Sequence, residues 1–414
     1  MTNATLCATA LVTTLAGTAL GQATFTGIGD LAGGASASFA LGLSADGTKV
    51  VGSGTAAGDV ARAILWSAGT MTAITDPAGT YTPSAAHAIA DNGVIVGVAA
   101  GPRGPEAFKY NTGGGNRFRP LGGTIAGGFF GSAAWAVSAS GGTVVGSREN
   151  DGFQVEAARW DGPGITGLGF LDLPAATSKA LGISADGTTI VGGSDAPDGY
   201  RAFVLGADGV MHQLPFDQAT ESEARAVSSN GTVIVGEVVG PGFTHAVRWT
   251  GNDPEDLGVL PGGFNFSTAT DCSADGSVVV GRSSGPLGTL ACVWRPGTGL
   301  EIVETLLKDS GLNLEGWSLT SATGVSADGR IVCGTGINPE GHDEGWIATL
   351  PSVVLHCPAD FNGDLFVDFF DYDDFVNCFE TGTCPPGRTG DFNGDGFADF
   401  FDYDDFVGAF ENGC

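Results

Sequence analysis

The sequence is poor in basic residues. Lys and Arg together number 17 against 46 Asp and Glu, which gives a formal net charge of -29 at pH 7. A surface of this sign repels nucleic acid and anionic membranes, so we expect neither as a partner. Beyond its first 23 residues the chain also lacks an apolar run long enough to cross a membrane, and we expect no transmembrane segment. Cations are the natural counterpart of this charge.

Charged residues of either sign are scarce, at 15% of the chain, whereas glycine contributes 70 of the 414 residues. Together with abundant Val, Ile, Thr and Ser, this composition is typical of strands and turns rather than helices. The length exceeds that of one ordinary compact domain, so it indicates either several domains or one large repetitive domain. An all-β fold is the first expectation.

The N-terminal residues 1–23 contain no charged side chain. An apolar stretch from Leu6 to Leu20 precedes Gly21-Gln22-Ala23, which has the small-x-small pattern of a cleavage site. We interpret the segment as a secretory signal peptide cleaved near Ala23, which predicts an extracellular or cell-surface protein. A buried strand of the mature fold is the alternative, because no Lys or Arg precedes the apolar stretch.

Seven internal repeats follow, each with a motif such as "ALGLSADGTKVVG" at Ala40. The motifs end at Gly52, Gly97, Gly146, Gly192, Gly236, Gly281 and Gly334. These glycines are 45, 49, 46, 44, 45 and 53 residues apart, which is the period of a four-stranded propeller blade. The repeats therefore predict a seven-bladed β-propeller over residues 24–351. An open stack of hairpin units is the alternative.

Each motif contains two strands joined by Asp-Gly, Asn-Gly or Gly-Gly, which predicts a type I′ turn with positive φ at both central residues. A third strand, such as "EAFKY", and a short fourth strand, such as "MTAI", complete each repeat. The last repeat lacks its fourth strand, and the mature N-terminus begins with an orphan one. We therefore expect the strand from Phe25 to Leu31 to pair with the strand from Trp346 to Leu350 and close the ring.

The repeats resemble the HAF family of extracellular bacterial repeats, named for a His-Ala-Phe triplet in the third strand. The triplet is partly kept as His245-Ala246-Val247, Arg201-Ala202-Phe203 and Glu106-Ala107-Phe108. The resemblance covers about Phe25 to Leu350. It implies secretion, but it does not imply an activity.

No motif in the repeats predicts a catalytic residue. "GPGITG" at Gly162 and "GRSSG" at Gly281 match a dinucleotide fingerprint and a nucleophile elbow, but neither has the strand-to-helix context that those sites need. The five histidines have no metal or triad spacing: His87, His212, His245, His342 and His356. The propeller is therefore read as a display or binding module whose loops contact a glycan or a protein. The alternative is a carbohydrate-active enzyme with its site at the propeller mouth.

The C-terminal region contains one acidic run twice, "DFNGDLFVDFFDYDDF" from Asp360 and "DFNGDGFADFFDYDDF" from Asp391. Side-chain oxygens recur at loop positions 1, 3, 5, 9 and 12, with a backbone carbonyl at position 7, which is the spacing that surrounds one hard cation. The first predicted calcium site consists of Asp360, Asn362, Asp364, Phe366, Asp368 and Asp371. The second consists of Asp391, Asn393, Asp395, Phe397, Asp399 and Asp402. Two calcium ions are the predicted cofactors.

A disordered acidic tail is the alternative, since residues 358–414 hold fourteen Asp or Glu against the single Arg388. Twelve phenylalanines in the same segment argue against disorder, because disordered tails avoid aromatic residues. Phe375 with Phe379, and Phe406 with Phe410, have helical i,i+4 spacing. We therefore expect each loop to lead into a short helix.

Two calcium loops, each followed by one helix, resemble a dockerin at residues 358–414, joined to the propeller by a linker at 352–357. The resemblance implies calcium-dependent attachment to a cohesin-like or other surface anchoring protein. The chain departs from the family at loop positions 10 and 11, where Phe369-Phe370 and Phe400-Phe401 replace small or hydroxylated residues. This departure and the terminal Gly413-Cys414 suggest a variant anchoring class.

The cysteines divide into two groups. Cys357 with Cys414, and Cys378 with Cys384, are predicted disulfides of the tail, which export permits. Cys272, Cys292 and Cys333 replace apolar residues of the strand repeat and are predicted to be buried free thiols.

Overall fold

The structure is a computed structural model that describes residues 22–113, 118–123, 131–171, 177–217, 219–286, 288–351, 359–362, 367–385, 388–392 and 397–412. The chain divides into two compact units between Pro351 and Ser352. Residues 1–21 of the predicted signal peptide and the predicted linker at 352–357 lie outside the described residues. No helix in the described parts of the chain is long and apolar enough to span a membrane.

The first unit is a seven-bladed β-propeller, as the repeats predicted. Its strands form seven antiparallel sheets of four strands each. The first blade consists of β2 (Gly33–Leu43), β3 (Lys49–Ala56), β4 (Val60–Ser67) and β5 (Thr70–Ala73). The second consists of β6 (Ser84–Ile89), β7 (Val94–Gly101), β8 (Gly104–Asn111) and β9 (Phe118–Gly122). The third consists of β10 (Ser132–Val137), β11 (Thr143–Glu149), β12 (Val155–Asp161) and β13 (Gly164–Gly169). The fourth blade consists of β14 (Ser178–Ile183), β15 (Ile190–Ala196), β16 (Gly199–Leu205) and β17 (Met211–Gln213). The fifth consists of β18 (Glu221–Val227), β19 (Val233–Gly240), β20 (Phe243–Thr250) and β21 (Asp253–Asp256). The sixth consists of β22 (Ser267–Cys272), β23 (Val279–Gly285), β24 (Gly288–Arg295) and β25 (Gly299–Ile302).

The seventh blade joins the two ends of the propeller. It contains β26 (Ser318–Val325), β27 (Ile331–Ile337) and β28 (Asp343–Thr349), and its outer strand is β1 (Thr24–Gly27). Thr24 lies opposite Thr349 and Gly27 opposite Trp346 in an antiparallel pair, so the predicted closure is confirmed. The strand is shorter than predicted because the chain turns after Gly27, with Gly29 at a φ of 73°.

Serine hydroxyls connect neighbouring blades. Ser132, at the start of the third blade, accepts the backbone N–H of Ala107 from the second blade at 3.0 Å and donates to the carbonyl of Gly122 at 2.6 Å. Ala107 is the middle residue of the triplet that resembles the HAF motif. Equivalent serines accept the matching N–H at five other junctions: Ser38, Ser84, Ser178, Ser222 and Ser267. The triplet alanine is small and buried because it lies at this junction.

The hairpin between the first two strands of each blade is not the predicted type I′ turn. In the first blade the N–H of Gly47 donates to the carbonyl of Ser44 at 2.8 Å, and only the glycine has positive φ, at 71°. Asp46 keeps an ordinary conformation because its carboxylate accepts hydrogen bonds from the Ser44 hydroxyl and the Thr48 N–H. The turn is therefore type I followed by a left-handed glycine, stabilised by the aspartate side chain.

A short helix that the repeats did not predict lies between the sixth and seventh blades. Helix α1 (Val303–Asp309) buries Val303 and Leu307 against Leu314 and Leu319. It occupies part of the longest interval between repeat glycines, 53 residues, where the sequence reading expected only a connection.

The second unit contains α2 (Phe369–Thr381) and α3 (Phe400–Asn412), one after each predicted loop. Asp368 caps α2, and Gly382 ends it in the left-handed conformation. The core is aromatic. The helices meet through Phe375 and Phe406, which are fully buried, and Phe361 packs edge-on against both.

Candidate functional site: the propeller channel and the tail loops

The first strands of the seven blades surround a central channel. In every blade a β-bulge follows the buried alanine of the motif and turns one side chain toward the channel. These side chains line a cavity of about 250 Å³, hereafter the channel mouth: Leu41, His87, Trp135, Leu181, Arg225, Thr270 and Thr323. Blades one to four contribute apolar and aromatic groups, and blades five to seven contribute polar ones.

The aromatic side of the mouth is formed by His87 and Trp135. Their rings stack with centroids 4.3 Å apart and 17° between planes. His87 Nδ1 lies 2.8 Å from the carbonyl oxygen of Ala134 and donates to it. Burial lowers the pKa of His87, although the bond to Ala134 opposes this, so the imidazole is neutral at pH 7.

The polar side is largely occupied by contacts within the propeller. Arg225 Nη2 lies 2.9 Å from a Glu223 oxygen and 2.8 Å from a Glu237 oxygen. The Thr270 hydroxyl donates to the carbonyl of Ala322 at 2.7 Å. The Thr323 hydroxyl likewise donates to the carbonyl of Ala40, in the first strand of the next blade, at 2.8 Å.

The residue that follows each mouth residue in the sequence forms a second level of the channel, hereafter the waist, which carries small residues and one acid. The waist residues are Gly42, Ala88, Ala136, Gly182, Ala226, Asp271 and Gly324. All but Gly324 line a cavity of about 220 Å³, which also reaches the mouth and is lined by Leu43, Ile89, Ile183 and Val227 as well. Asp271 is the one waist side chain larger than a methyl group. Its Oδ1 accepts the N–H of Cys272 and its Oδ2 that of Val325, both at 2.9 Å. Burial raises the pKa of Asp271 to about 6, against the opposing effect of these two bonds.

Backbone hydrogen bonds join the hairpins at the other end of the channel. The N–H of Ala139 donates to the carbonyl of Ala185 at 3.1 Å, and that of Ala185 to Ser229 at 3.1 Å. The chain of bonds continues through Ala274 and Ala327 to Ala45. Six of the seven blades are thus connected around the axis, which fixes the first strands that carry the mouth and the waist.

The described lining of the channel mouth does not have the carboxylate pair of a glycoside hydrolase. Among the described residues, no carboxylate lines the mouth, and Asp271 is the only one at the waist, whereas Glu223 and Glu237 bind Arg225. Asp91 joins Asp271 only in a further cavity of about 170 Å³ toward the other end of the channel. The two rejected motifs also lie where expected: Gly162 is in the turn between β12 and β13, and Gly281 is inside β23. His212 and His245 pair with Asp208 and Asp256 rather than with the channel.

The sequence reading did not single out Trp135, Arg225 or Asp271. Trp135 and Arg225 occupy a repeat position at which the blades carry different residues, and Asp271 departs from glycine or alanine at the next position, so none of the three belongs to the motif that the blades share. The available signal was the comparison of the repeats with one another, which places Asp271 in a column of glycine and alanine.

In the tail, the aspartate predicted at loop position 12 accepts hydrogen bonds from backbone N–H groups of its own loop. Asp371 is fully buried, and its two oxygens accept the N–H groups of Asn362 at 3.0 Å and Asp368 at 2.9 Å. In the second copy Asp402 accepts the N–H of Phe392, one loop position earlier, at 2.7 Å, and that of Asp399 at 2.8 Å. Both loops are thereby tied to the first turn of the helix that follows.

The residues predicted at position 9 cap the helices. Asp368 Oδ1 accepts the N–H of Phe370 at 2.8 Å, and Asp399 Oδ1 that of Phe401 at 2.9 Å. Asp364, Phe366, Asn393 and Asp395 lie outside the described residues. In the described remainder of the chain, no three His, Cys, Asp or Glu residues form a group that could hold a metal ion.

The residues present are compatible with calcium. Asp360 is 2% exposed, and Asp371 and Asp402 are fully buried, in a segment where fourteen acids face one arginine. Carboxylates buried at this density favour a cation nearby. Backbone N–H bonds use only part of the acceptor capacity of Asp371, because a carboxylate offers about four lone-pair sites. Calcium binding remains a prediction, and the oxygen donors of these residues are compatible with it.

Five phenylalanines of the tail unit are exposed to solvent. Between 68% and 72% of each side chain is exposed: Phe369, Phe370, Phe397, Phe400 and Phe401. Four of these are the residues at loop positions 10 and 11.

The cysteines of the described residues are as predicted. Cys378 and Cys384 form a disulfide that joins the end of α2 to the following turn. Cys272, Cys292 and Cys333 are buried free thiols. Cys357 and Cys414, the second predicted pair, lie outside the described residues.

Comparison with solved structures supports the fold. The β-propeller domain of the Trilobed protease from Pyrococcus furiosus, described as having an open velcro topology, is similar at 10% identity and a TM-score of 0.51, over 75% of this chain and 95% of that one. TolB from Acinetobacter baumannii is similar at 14% identity and a TM-score of 0.42, over 71% and 76%. No protein-family model matches the sequence, and no curated protein is significantly similar to it. The likeness to the protease domain shows the propeller fold alone.

Proposed function

We propose that this chain is a secreted, non-enzymatic protein whose propeller is displayed or used for binding and whose tail is a calcium-folded attachment module of the dockerin-like kind. The N-terminal segment supports export, and the Cys378–Cys384 disulfide is compatible with an oxidising environment. The described lining of the channel mouth contains no carboxylate, which favours binding over glycoside hydrolysis at that site.

The observation that carries the proposal is the duplicated position-12 carboxylate. Asp371 and Asp402 are 31 residues apart, are both fully buried, and each accept two N–H groups from their own loop. A cation bound in each loop would be linked through these carboxylates to the start of α2 or α3. Calcium binding would then control whether the two helices pack against each other. Through the helices it would also control the positions of the exposed phenylalanines at loop positions 10 and 11.

The test of attachment uses the secreted full-length protein and the surface of its source cells. We expect retention on washed cells with calcium and release by a calcium chelator. The double variant Asp371→Asn, Asp402→Asn should be released with calcium present, whereas Asp151→Asn, an exposed acid of the propeller, should be retained like the wild type. Retention that is unchanged by the chelator and by the double variant would contradict attachment through the tail.

Export has a separate readout. Mass analysis of the secreted protein should give an N-terminus near Thr24, the first residue of β1. A mature protein that keeps residues 1–23 would contradict the predicted signal peptide.

A further inference from the structure

We propose that the channel mouth binds a protonated amine on a short apolar stem, either a free alkylammonium ion or the side chain of a lysine. The ammonium group would lie against Asp271 and the stem against Trp135 and the leucines of the mouth. This site is in the propeller and does not depend on the attachment role of the tail.

Charge favours a cation in this channel. Asp271 is the one polar side chain at a waist otherwise made of glycine and alanine. Both of its oxygens accept a backbone N–H, and each keeps lone-pair capacity for an ammonium donor. The net charge of -29 adds a long-range field that concentrates cations, and a narrow cleft with low-dielectric walls focuses such a field.

The positive groups near the mouth do not cancel this preference. Arg225 is in contact with two carboxylates, Glu223 and Glu237, so the three side chains together carry a net negative charge. His87 is neutral because burial lowers its pKa. No other Lys, Arg or His lines the mouth or the waist within the described part of the chain.

The apolar side of the mouth fits the stem of such a ligand. Trp135, Leu41 and Leu181 come from three blades and line the same cavity as Asp271. An indole ring attracts a nearby cation through its π-electrons, and leucine side chains exclude water from a methylene chain. The indole Nε1–H of Trp135 is buried and has no hydrogen-bond partner among the described residues, so its signal is a sensitive probe of the mouth.

The fold does not require the acid at this place. Six blades carry glycine or alanine at the same position and build the same strand and bulge, so Asp271 is not a condition of blade formation. Placing a carboxylate where burial raises its pKa costs stability. A ligand that needs a negative charge at the waist accounts for that cost.

The test follows the Trp135 indole N–H signal of the ¹⁵N-labelled full-length protein during titration. The signal is assigned by its loss in Trp135→Leu, which copies the residue of blades one and four. One arm uses n-butylammonium against neutral n-butanol. The other uses the peptide acetyl-Gly-Lys-Gly-amide against its norleucine analogue. Saturable shifts with either cationic probe, and none with its neutral partner, support the proposal.

Variants decide whether Asp271 is responsible. Asp271→Ala copies the second, third and fifth blades, and Asp271→Asn keeps the shape of the side chain. Each should weaken binding of the cationic probe at least tenfold, whereas Asp151→Asn, with the same loss of charge at an exposed turn, should not change it. If only n-butylammonium binds, the mouth takes a free amine; if the lysine peptide also binds, it admits a protein side chain. Undiminished binding to both Asp271 variants, or no response to either probe, would overturn the proposal.

Discussion

The rings of Phe375 and Phe406 lie face to face at the centre of the tail unit, with centroids 4.0 Å apart and 11° between planes. These residues are 31 positions apart and are equivalent in the duplicated run. Phe361 and Phe392, a second equivalent pair, each pack edge-on against both rings. The hydroxyls of Tyr372 and Tyr403, a third pair, contact each other. The repeated sequence thus forms two halves of one aromatic core.

Replacing Phe375 by Ala should unfold the tail unit. Removing a buried Phe side chain costs about 3 to 5 kcal/mol, which is comparable to the total stability of a unit of this size. Hydrogen exchange of residues 369–381 should rise to the level of an unfolded peptide. Phe369→Ala is the matched control on the same helix, because that side chain is 70% exposed. Equal exchange in the two variants would contradict the assignment of the core.

Removing β1 should open the propeller. Without residues 24–31, β28 has no outer partner, and the packing of Phe25 against Trp317, with centroids 5.0 Å apart, is lost. All seven tryptophans lie in the propeller, so tryptophan fluorescence reports its melting alone.

We expect the deletion to lower the melting temperature by more than about 10 °C, and a synthetic peptide of residues 24–31 added in trans to restore part of that loss. The same peptide with Phe25→Ala should restore less. An unchanged melting temperature after the deletion would contradict the role of β1 in closing the ring.

The stability of the propeller should carry a pH-dependent contribution from Asp271. Its pKa rises from 3.8 to about 6 on folding, so the folded protein holds this proton more tightly. The contribution is fully present below pH 4 and is lost as the pH rises through 6, by at most about 3 kcal/mol. Asp271→Ala lacks it, while the other titratable residues along the channel, His87, Arg225 and Asp91, remain unchanged.

Denaturant unfolding followed by tryptophan fluorescence at pH 4, 5, 6 and 7 measures this difference. The free energy of unfolding of the wild type, minus that of Asp271→Ala, should fall steadily over this range. A difference that is constant or rises with pH would show that the carboxylate is not destabilised in the channel.

The sequence predicted the architecture well because the propeller repeats its packing. The buried alanine, the hairpin and the valine-rich second strand recur in each blade, so the period gives the blade count and the missing fourth strand gives the closure. The turn type was wrong because Asp46 and its equivalents accept hydrogen bonds from the turn instead of adopting positive φ. The channel was missed because its residues point away from the shared core and are free to vary. Asp271 stands out from a column of glycine and alanine when the repeats are compared, but only the geometry shows that Trp135 and Asp271 line one cavity.

Calcium titration of the full-length protein, by calorimetry, tests the central claim most directly. We predict two calcium ions bound per chain, with hydrogen exchange of α2 and α3 slowing as they bind. Asp402→Ala should bind one ion, and Leu365→Gly, which gives the first loop the glycine of the second, should bind its first-loop ion more tightly. A protein truncated after Pro351 should bind neither ion. A full-length protein that takes up no calcium, or takes it up without protecting the two helices, would contradict the account.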